Sequence, residues 1–307
     1  MASTGEPELT APVSTVVLTF NEEPNIDACL RSVHGWCHEI FVLDSGSTDQ
    51  TVAICQRYTD KIFVHSYTDH ASQINWALSN LPLACDWILL LDADNVVSEL
   101  LKWEVEQALA DDDPRIAGYY SRHLHMFRNR PVRGLKSHWL RLIRRARTRI
   151  DQCELVDFRW ILDGETRILS GAIIESNQKE NDIDFWIDKH QKFSSRMAIE
   201  EVLRNSGILK WSSELRPRLY GNPDERMLWF KDRWYRMPLY VRPILYFFYR
   251  YFLRLGFLDG VDGFIFNFLQ AFWFRLIVDI KIAELRRRLT CGELSLTQLA
   301  ESFAHDF

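Results

Sequence analysis

From Pro12 to about Phe127 the sequence alternates short apolar runs with stretches whose apolar residues recur at helical spacing, and few architectures accommodate that pattern. The runs are Val13–Phe20, Glu39–Asp44, Lys61–Tyr67, Asp86–Asp92 and Ile116–Met126. They are rich in Val, Ile, Leu and Phe and short enough to be buried strands. Between them, Pro24–Trp36 sets Ile26, Leu30 and Val33 at helical spacing, with Pro24 suited to a first turn. Ser98–Ala110 repeats the arrangement with Leu101, Val105 and Leu109, and Ser98 is suited to cap it. Strands alternating with helices need crossover connections, so the reading is an α/β domain with a mainly parallel, doubly wound sheet. Ligands of such sheets bind beyond the carboxyl ends of the strands.

Polar residues gather at those ends. The first strand runs into Thr19-Phe20-Asn21-Glu22-Glu23, and the second into Asp44-Ser45-Gly46-Ser47-Thr48-Asp49-Gln50-Thr51. The fourth, Trp87-Ile88-Leu89-Leu90-Leu91, runs into Asp92-Ala93-Asp94-Asn95. Two carboxylates behind a rigid buried strand can hold a hard divalent cation such as Mg²⁺ or Mn²⁺, with phosphates filling its other positions. Such a cation offsets the charge that builds on a departing nucleoside diphosphate. An isolated pair of this kind is most often a solvated acidic turn, but two further strand-end clusters converge on the same edge. No GxGxxG follows the first strand and no GxxxxGK[ST] occurs, so neither a dinucleotide fold nor a P-loop is supported. A nucleotide would be held by side chains such as Asp44 and Asp49. The same segment also reads as a turn and helix cap, and both roles can coexist.

With 307 residues and 47% apolar content, the chain can bury a substantial core. A net charge of −5 argues against nucleic acid as partner. The six cysteines form no zinc-like spacing and read as reduced structural thiols of a cytoplasmic protein. Residues 1–11 lack the basic start and apolar core of a secretory signal and read as a disordered lead.

VSTVVLTFNEEPNIDACLRSV, then FVLDSGSTDQT, then DWILLLDAD resemble the nucleotide-binding half of family 2 glycosyltransferases, which have the GT-A fold. The likeness is to the bacterial branch of lipopolysaccharide-core glucosyltransferases and exopolysaccharide or capsule enzymes. It covers residues 12–127, and more loosely runs to 205 through HWLRLIRR and DFWIDKHQKFSSRMA. The resemblance implies Thr19, Asn21 and Glu22 near the nucleoside, and Asp44 and Asp49 near base or ribose. It implies Gln73 and Asn75 near the donor, and Asp92 and Asp94 at diphosphate and metal. It further implies an inverting, metal-dependent transfer from a nucleoside-diphosphate sugar, with a UDP-sugar the first expectation.

Two positions depart from the family pattern. Relatives commonly carry a basic residue where this chain has Ile74, and a Glu/His pair near its Leu155–Arg159, where Phe158 and Arg159 supply neither group. An inverting transfer needs a base for the acceptor hydroxyl. Asp157 is the first candidate, with Glu154 and Asp163 behind it; pairing of Asp157 with Arg159 is the structural alternative. His123 and His125 alternate on a strand and share a face, and His190 lies on a helix; all three are expected to be packing histidines rather than ligands.

Residues 128–182 are less regular, with a basic stretch at Arg141, Arg144, Arg145, Arg147 and Arg149, and Phe185–Leu203 reads as one amphipathic helix. Tyr240–Leu258 and Phe264–Ile280 are dense in aromatics but interrupted by charged and polar residues, and neither offers the roughly 20 uninterrupted apolar residues expected of a segment that spans a bilayer. They read as a hairpin turning at Gly256–Gly263, with Phe247, Phe248 and Tyr251 in the acyl boundary and Arg250 and Arg254 at anionic headgroups. Packing on the catalytic domain, or on a second subunit in a homodimer, is the alternative. The expected division is a catalytic domain over 12–205, a membrane-associating helical segment over 206–290 and a tail over 291–307. The expected function is transfer to a lipid-linked surface-polysaccharide precursor at the inner face of the cell membrane. A polyprenyl-phosphate sugar synthase and a degenerate nucleotide-sugar-binding scaffold are the alternatives.

Overall fold

The computed structural model describes residues 10–151, 158–209 and 214–305. The first half comprises β1 (Ala11–Thr19), α1 (Ile26–Val33), β2 (Cys37–Asp44), α2 (Thr51–Cys55), β3 (Ile62–Val64), α3 (His70–Asn80), β4 (Trp87–Asp92), β5 (Asn95–Val97) and α4 (Glu99–Asp111). Then come β6 (Ile116–Phe127), β7 (Arg130–Arg144), β8 (Thr148–Asp151), β9 (Arg159–Leu162) and β10 (Glu165–Glu175). Helices α5 (Ile183–Asn205), α6 (Pro223–Tyr235), α7 (Val241–Phe248), α8 (Gly260–Asn267), α9 (Phe274–Thr290) and α10 (Leu296–His305) complete the chain.

Eight strands form one sheet in the order β3-β2-β1-β4-β7-β6-β10-β5, and β8 and β9 form a separate antiparallel pair. β3, β2, β1 and β4 are mutually parallel, and so are β6 and β10; β7 and β5 run the other way. The expected α/β, mainly parallel sheet is therefore present. Register brings Thr19 level with Asp44, and Leu18 level with Asp92, so the polar strand ends share one edge. Ser98 caps α4 by accepting from the Leu101 N–H at 3.3 Å.

The sheet is buried on both faces. On one, Val13, Val17 and Leu91 pack with Ile26 and Leu30 of α1 and with Leu101 and Val105 of α4. On the other, Val16, Phe41 and Leu90 meet Ile74 and Ala77 of α3. Alternate strand residues thus feed two cores, which is why these strands read as nearly continuous apolar runs. Cys29, Cys37 and Cys55 sit in this interior as free thiols, and burial pushes the Cys55 thiol up to about 12.

The irregular stretch 128–182 holds the long strands β7 and β10. β7 lies antiparallel between β4 and β6, and its abundance of Arg hid the alternation that marks a strand. The C-terminal helices differ from the expected hairpin. α8 begins at Gly260, so Gly260–Gly263 open the second helix and the chain reverses just before, around Leu255 with φ 61°. Gly256–Thr290 then runs helical for 35 residues, with a window of mean hydropathy 1.4 that is 39% buried, long and apolar enough by composition alone to cross a membrane. Arg250 is only 1% exposed, its guanidinium against Phe266 and Gln270, so it is withdrawn from any headgroup.

Position 205 is no boundary in packing. Ala198, Val202 and Leu203 of α5 share a core with Phe274, Val278 and Ile282 of α9 and Leu299 of α10. Inside it, fully buried Arg242 donates to both oxygens of Glu201 at 3.0 Å and to Asp279 at 2.7 Å. A guanidinium facing two carboxylates out of water holds α5, α7 and α9 in one arrangement.

Candidate active site

The site is built where β4 ends. The Asp92 N–H donates to Asn95 Oδ1 at 3.1 Å, and Asn95 Nδ2 donates to Asp94 Oδ1 at 2.9 Å, so the Asp92–Asn95 turn fixes both carboxylates. Arg141 of β7 donates to Asp92 Oδ2 at 2.7 Å, and His70 Nε2 lies 3.7 Å from its other oxygen. Burial pushes the Asp92 carboxyl up, but Arg141 and His70 outweigh it and the group stays below its ordinary range. Among the described residues no cation pairs directly with Asp94, and Lys189 only partly offsets its surroundings. Burial, then Glu175 of β10, then Asp92 push its carboxyl up to about 8. Two aspartates therefore sit side by side, with Glu175 close behind, and the excess negative charge at Asp94 makes the pair a donor set that fits a divalent cation.

A hydrogen-bonded web joins this pair to the end of β1. Asn177 Nδ2 donates to Asp94 Oδ2 at 3.1 Å, while Asn25 Nδ2 donates to Asn177 Oδ1 at 3.2 Å and to Glu22 Oε2 at 2.6 Å. Lys179 reaches Glu22 Oε1 at 2.5 Å and the Asn21 carbonyl at 3.1 Å. Glu22 is thus a hub of the loop. Asn21, in the left-handed region at φ 51°, accepts from the Thr48 N–H at 2.8 Å.

Asp44, 1% exposed, accepts from the N–H groups of Gly46 and Ser47 at 2.9 and 2.8 Å, and Asp49 accepts from the Thr51 N–H at 3.0 Å where α2 begins. Both carboxylates therefore shape the turn that leads into α2, with lone pairs left for hydroxyl donors, but neither is its N-cap residue, which is Gln50. Thr19 Oγ1 is buried without a hydrogen-bond partner at the same edge. Gln73 Nε2 ties α3 to Ser45 Oγ at 2.7 Å and to the His65 carbonyl at 2.9 Å. With 3.6 residues per turn, Asn75 lies on nearly the opposite side of α3 from Gln73.

The sequence of residues 14–160 matches the family described as Glycosyl transferase family 2. These residues form a family 2 glycosyltransferase domain. The lipopolysaccharide core biosynthesis glycosyltransferase LpsC of Rhizobium meliloti is 27% identical over 268 residues, 85% of this chain and 90% of its own. An uncharacterized glycosyltransferase of Rickettsia conorii, RC0292, is 26% identical over 86% of this chain and 87% of its own. Among solved structures, glucosyl-3-phosphoglycerate synthase of Mycobacterium tuberculosis, in complex with Mg²⁺ and uridine-diphosphate, is similar over 36% of this chain and 43% of its own, at 21% identity and a TM-score of 0.30.

Within this glycosyltransferase domain the two departures acquire a local setting. Ile74 is fully buried in the core beneath α3, and the groups that face Asp92 are instead Arg141 and His70. Phe158 stacks on the His70 ring at 5.1 Å between centroids, and Arg159 pairs with Asp224 of α6 at 3.0 Å. Asp157 and Glu154 lie outside the described residues. Asp163 does not belong with the site: its N–H donates to Arg147, and the next turn closes on Arg115, where β6 and β10 begin. That is the opposite edge of the sheet, so Asp163 is withdrawn as a candidate base. Sequence reasoning missed Glu175, Arg141, Asn177 and Lys179, which reach the site only through the β6–β7–β10 register and the loop after β10.

Proposed function

We propose that this protein is an inverting glycosyltransferase that moves a sugar from a nucleoside-diphosphate donor, in the first instance a UDP-sugar, to a lipid-linked surface-polysaccharide precursor. The observation that carries this is the under-compensated carboxylate cluster at the carboxyl end of β4, in a family 2 domain. Asp94 with Asp92 would hold Mg²⁺ or Mn²⁺, which neutralises charge on the leaving diphosphate. Arg141 and His70 orient Asp92 and keep it ionised. Asp44, Asp49, Thr19 and Asn21 offer acceptors and a hydroxyl at the nucleoside end of the edge. Asp157 is the proposed base; support comes from Phe158, next in the chain, which stacks on His70 beside Asp92. Asp157→Asn is then expected to cut turnover by roughly 10²–10⁴ while donor affinity stays nearly unchanged.

The acceptor half of the reading rests on the exposed apolar face of the C-terminal helices, where Ile244, Leu245, Phe248, Phe252, Leu253, Phe257, Leu258 and Val261 meet solvent. Such a face suits the membrane interface. Lying on the inner leaflet is favoured over spanning it, because α9 buries Phe274, Val278, Ile282 and the charged Asp279 against the rest of the protein.

Full-length protein incubated with labelled nucleoside-diphosphate sugars, Mg²⁺ or Mn²⁺ and a bacterial lipid extract should place label in a glycolipid, and EDTA should abolish it. Label on a polyprenyl phosphate would shift the acceptor to a lipid phosphate. Neither transfer nor donor binding with any sugar would overturn the reading.

A further inference from the structure

A second set of donors lies on the same rim. β6 puts His123 and His125 on one face, and β10 runs beside it with Glu175 level with His125. His123 Nε2 lies 2.7 Å, and His125 Nδ1 3.3 Å, from the same Glu175 oxygen, Oε2. One ligand atom from each of the three residues falls within 4.8 Å of the others.

Both imidazoles are held rigidly. His123 lies flat against Trp139 with centroids 3.5 Å apart, and its Nδ1 is 3.1 Å from Ser137 Oγ, leaving Nε2 to face inward. His125 stacks on Phe266 of α8 at 5.0 Å. It is 8% exposed, and its Nδ1 is buried with no hydrogen-bond partner, although it points at Glu175. Lying 3.3 Å from the carboxylate but out of hydrogen-bond alignment, this nitrogen is open to a further partner. Two ligands about 2.1 Å from a tetrahedral or octahedral metal lie about 3.0–3.4 Å from each other. The separations to Glu175 Oε2, 2.7 and 3.3 Å, are within a few tenths of an ångström of that range.

We propose that His123, His125 and Glu175 bind a divalent transition-metal ion at a site separate from the cation assigned to Asp92 and Asp94. Two imidazoles and one carboxylate favour Zn²⁺ or Co²⁺ over Mg²⁺, whereas the all-oxygen aspartate pair suits Mg²⁺ or Mn²⁺. All three donors stand on paired strands, and Ser137 and the two stacked rings orient the imidazoles as supporting groups do in metal sites. Binding here needs no nucleotide, so the inference stands or falls independently of the transferase reading. It replaces the expectation that these histidines only pack.

The test is titration of chelator-stripped full-length protein with Co²⁺ in excess Mg²⁺ and without nucleotide, by calorimetry and visible absorption. Expected is tight Co²⁺ uptake with a nitrogen-ligated spectrum. His125→Ala and Glu175→Gln should each weaken it by more than about 100-fold, the upper end for loss of a merely supporting partner. Asp92→Asn should leave it in place. X-ray absorption of the Zn²⁺-loaded wild-type protein should show imidazole in the first coordination shell, which needs no variant to fold. Absence of Co²⁺ or Zn²⁺ uptake by the wild type, retention in folded His125→Ala, or equal loss in Asp92→Asn would each overturn the proposal.

Discussion

Asp94 is held in its ion-competent position by Asn95 and Asn177, yet the nearest strong charges are carboxylates. Its two roles therefore oppose each other: the arrangement that would receive a cation costs stability without one. In metal-free protein the raised carboxyl means that the folded chain binds a proton the unfolded chain has lost. This destabilising contribution is absent at acid pH, grows as pH rises above the ordinary carboxylate range, and is complete above about 8. Asp94→Asn should accordingly raise the melting temperature of metal-free protein, with a gap that widens between about pH 4 and pH 8. A gap that narrows over that range would contradict the assignment. The same substitution, or Asp94→Ala, should abolish metal-dependent donor binding, measured by calorimetry with UDP and Mn²⁺. At this scale the legible residues were those whose neighbours in sequence announced them. Asp92 and Asp94 follow five apolar residues, and Asp44 and Asp49 flank a Ser/Gly turn. Glu175 follows a similar apolar run, but its meaning comes from His123 and His125, some fifty positions earlier, and only strand register reveals that.

Among the elements, β1, β2, β4, α1 and α4 were readable because each carries its own period and its own cap or stop. β7 was not, since Arg141 and Arg144 are turned inward to Asp92 and Asp112, where charge partners replace apolar packing. α5 was readable as a helix but not in its allegiance. Its burial comes from α9 and α10, and the polar contribution comes from Arg242, whose partners Glu201 and Asp279 lie far away in sequence. Arg242→Met should leave two carboxylates facing each other out of water and destabilise the chain by about 3–5 kcal/mol, read from denaturant unfolding. Replacing Glu201 and Asp279 with apolar residues in the same chain should recover much of that loss, because the desolvation of the charged group disappears with it.

For the molecule as a whole, the exposed aromatic face and the edge that carries Asp92 and Asp94 are joined through one small apolar cluster, Phe127, Val132 and Phe266. Phe266 packs on His125 on one side and on Phe127 on the other, so the apolar helices touch the β6–β7 hairpin that lines the site. Phe248→Glu with Leu253→Glu should reduce partition into anionic vesicles at least tenfold, as expected when two side chains worth about 1.5–3 kcal/mol each are removed from an apolar phase. The fold should persist, since both side chains are more than half exposed. Added salt should weaken the wild-type binding only modestly, because screening acts on charges and, of the two arginines, Arg250 is buried and Arg254 alone is left to meet headgroups. Deleting everything after residue 225 is a harsher change. It strips the partners from Ala198, Val202 and Leu203, and the truncated chain should aggregate or unfold rather than remain a nucleotide-binding fragment.

The shared α5 core also bears on how such a chain can diversify. A recombination joint near residue 205 would separate Glu201 from Arg242, and one just before α5 would sever the Asn177–Lys179 link to Glu22 and Asp94. Neither joint leaves two self-sufficient halves. The C-terminal helices cannot be traded between relatives as cassettes, and new specificities would have to arise by substitution within an intact chain.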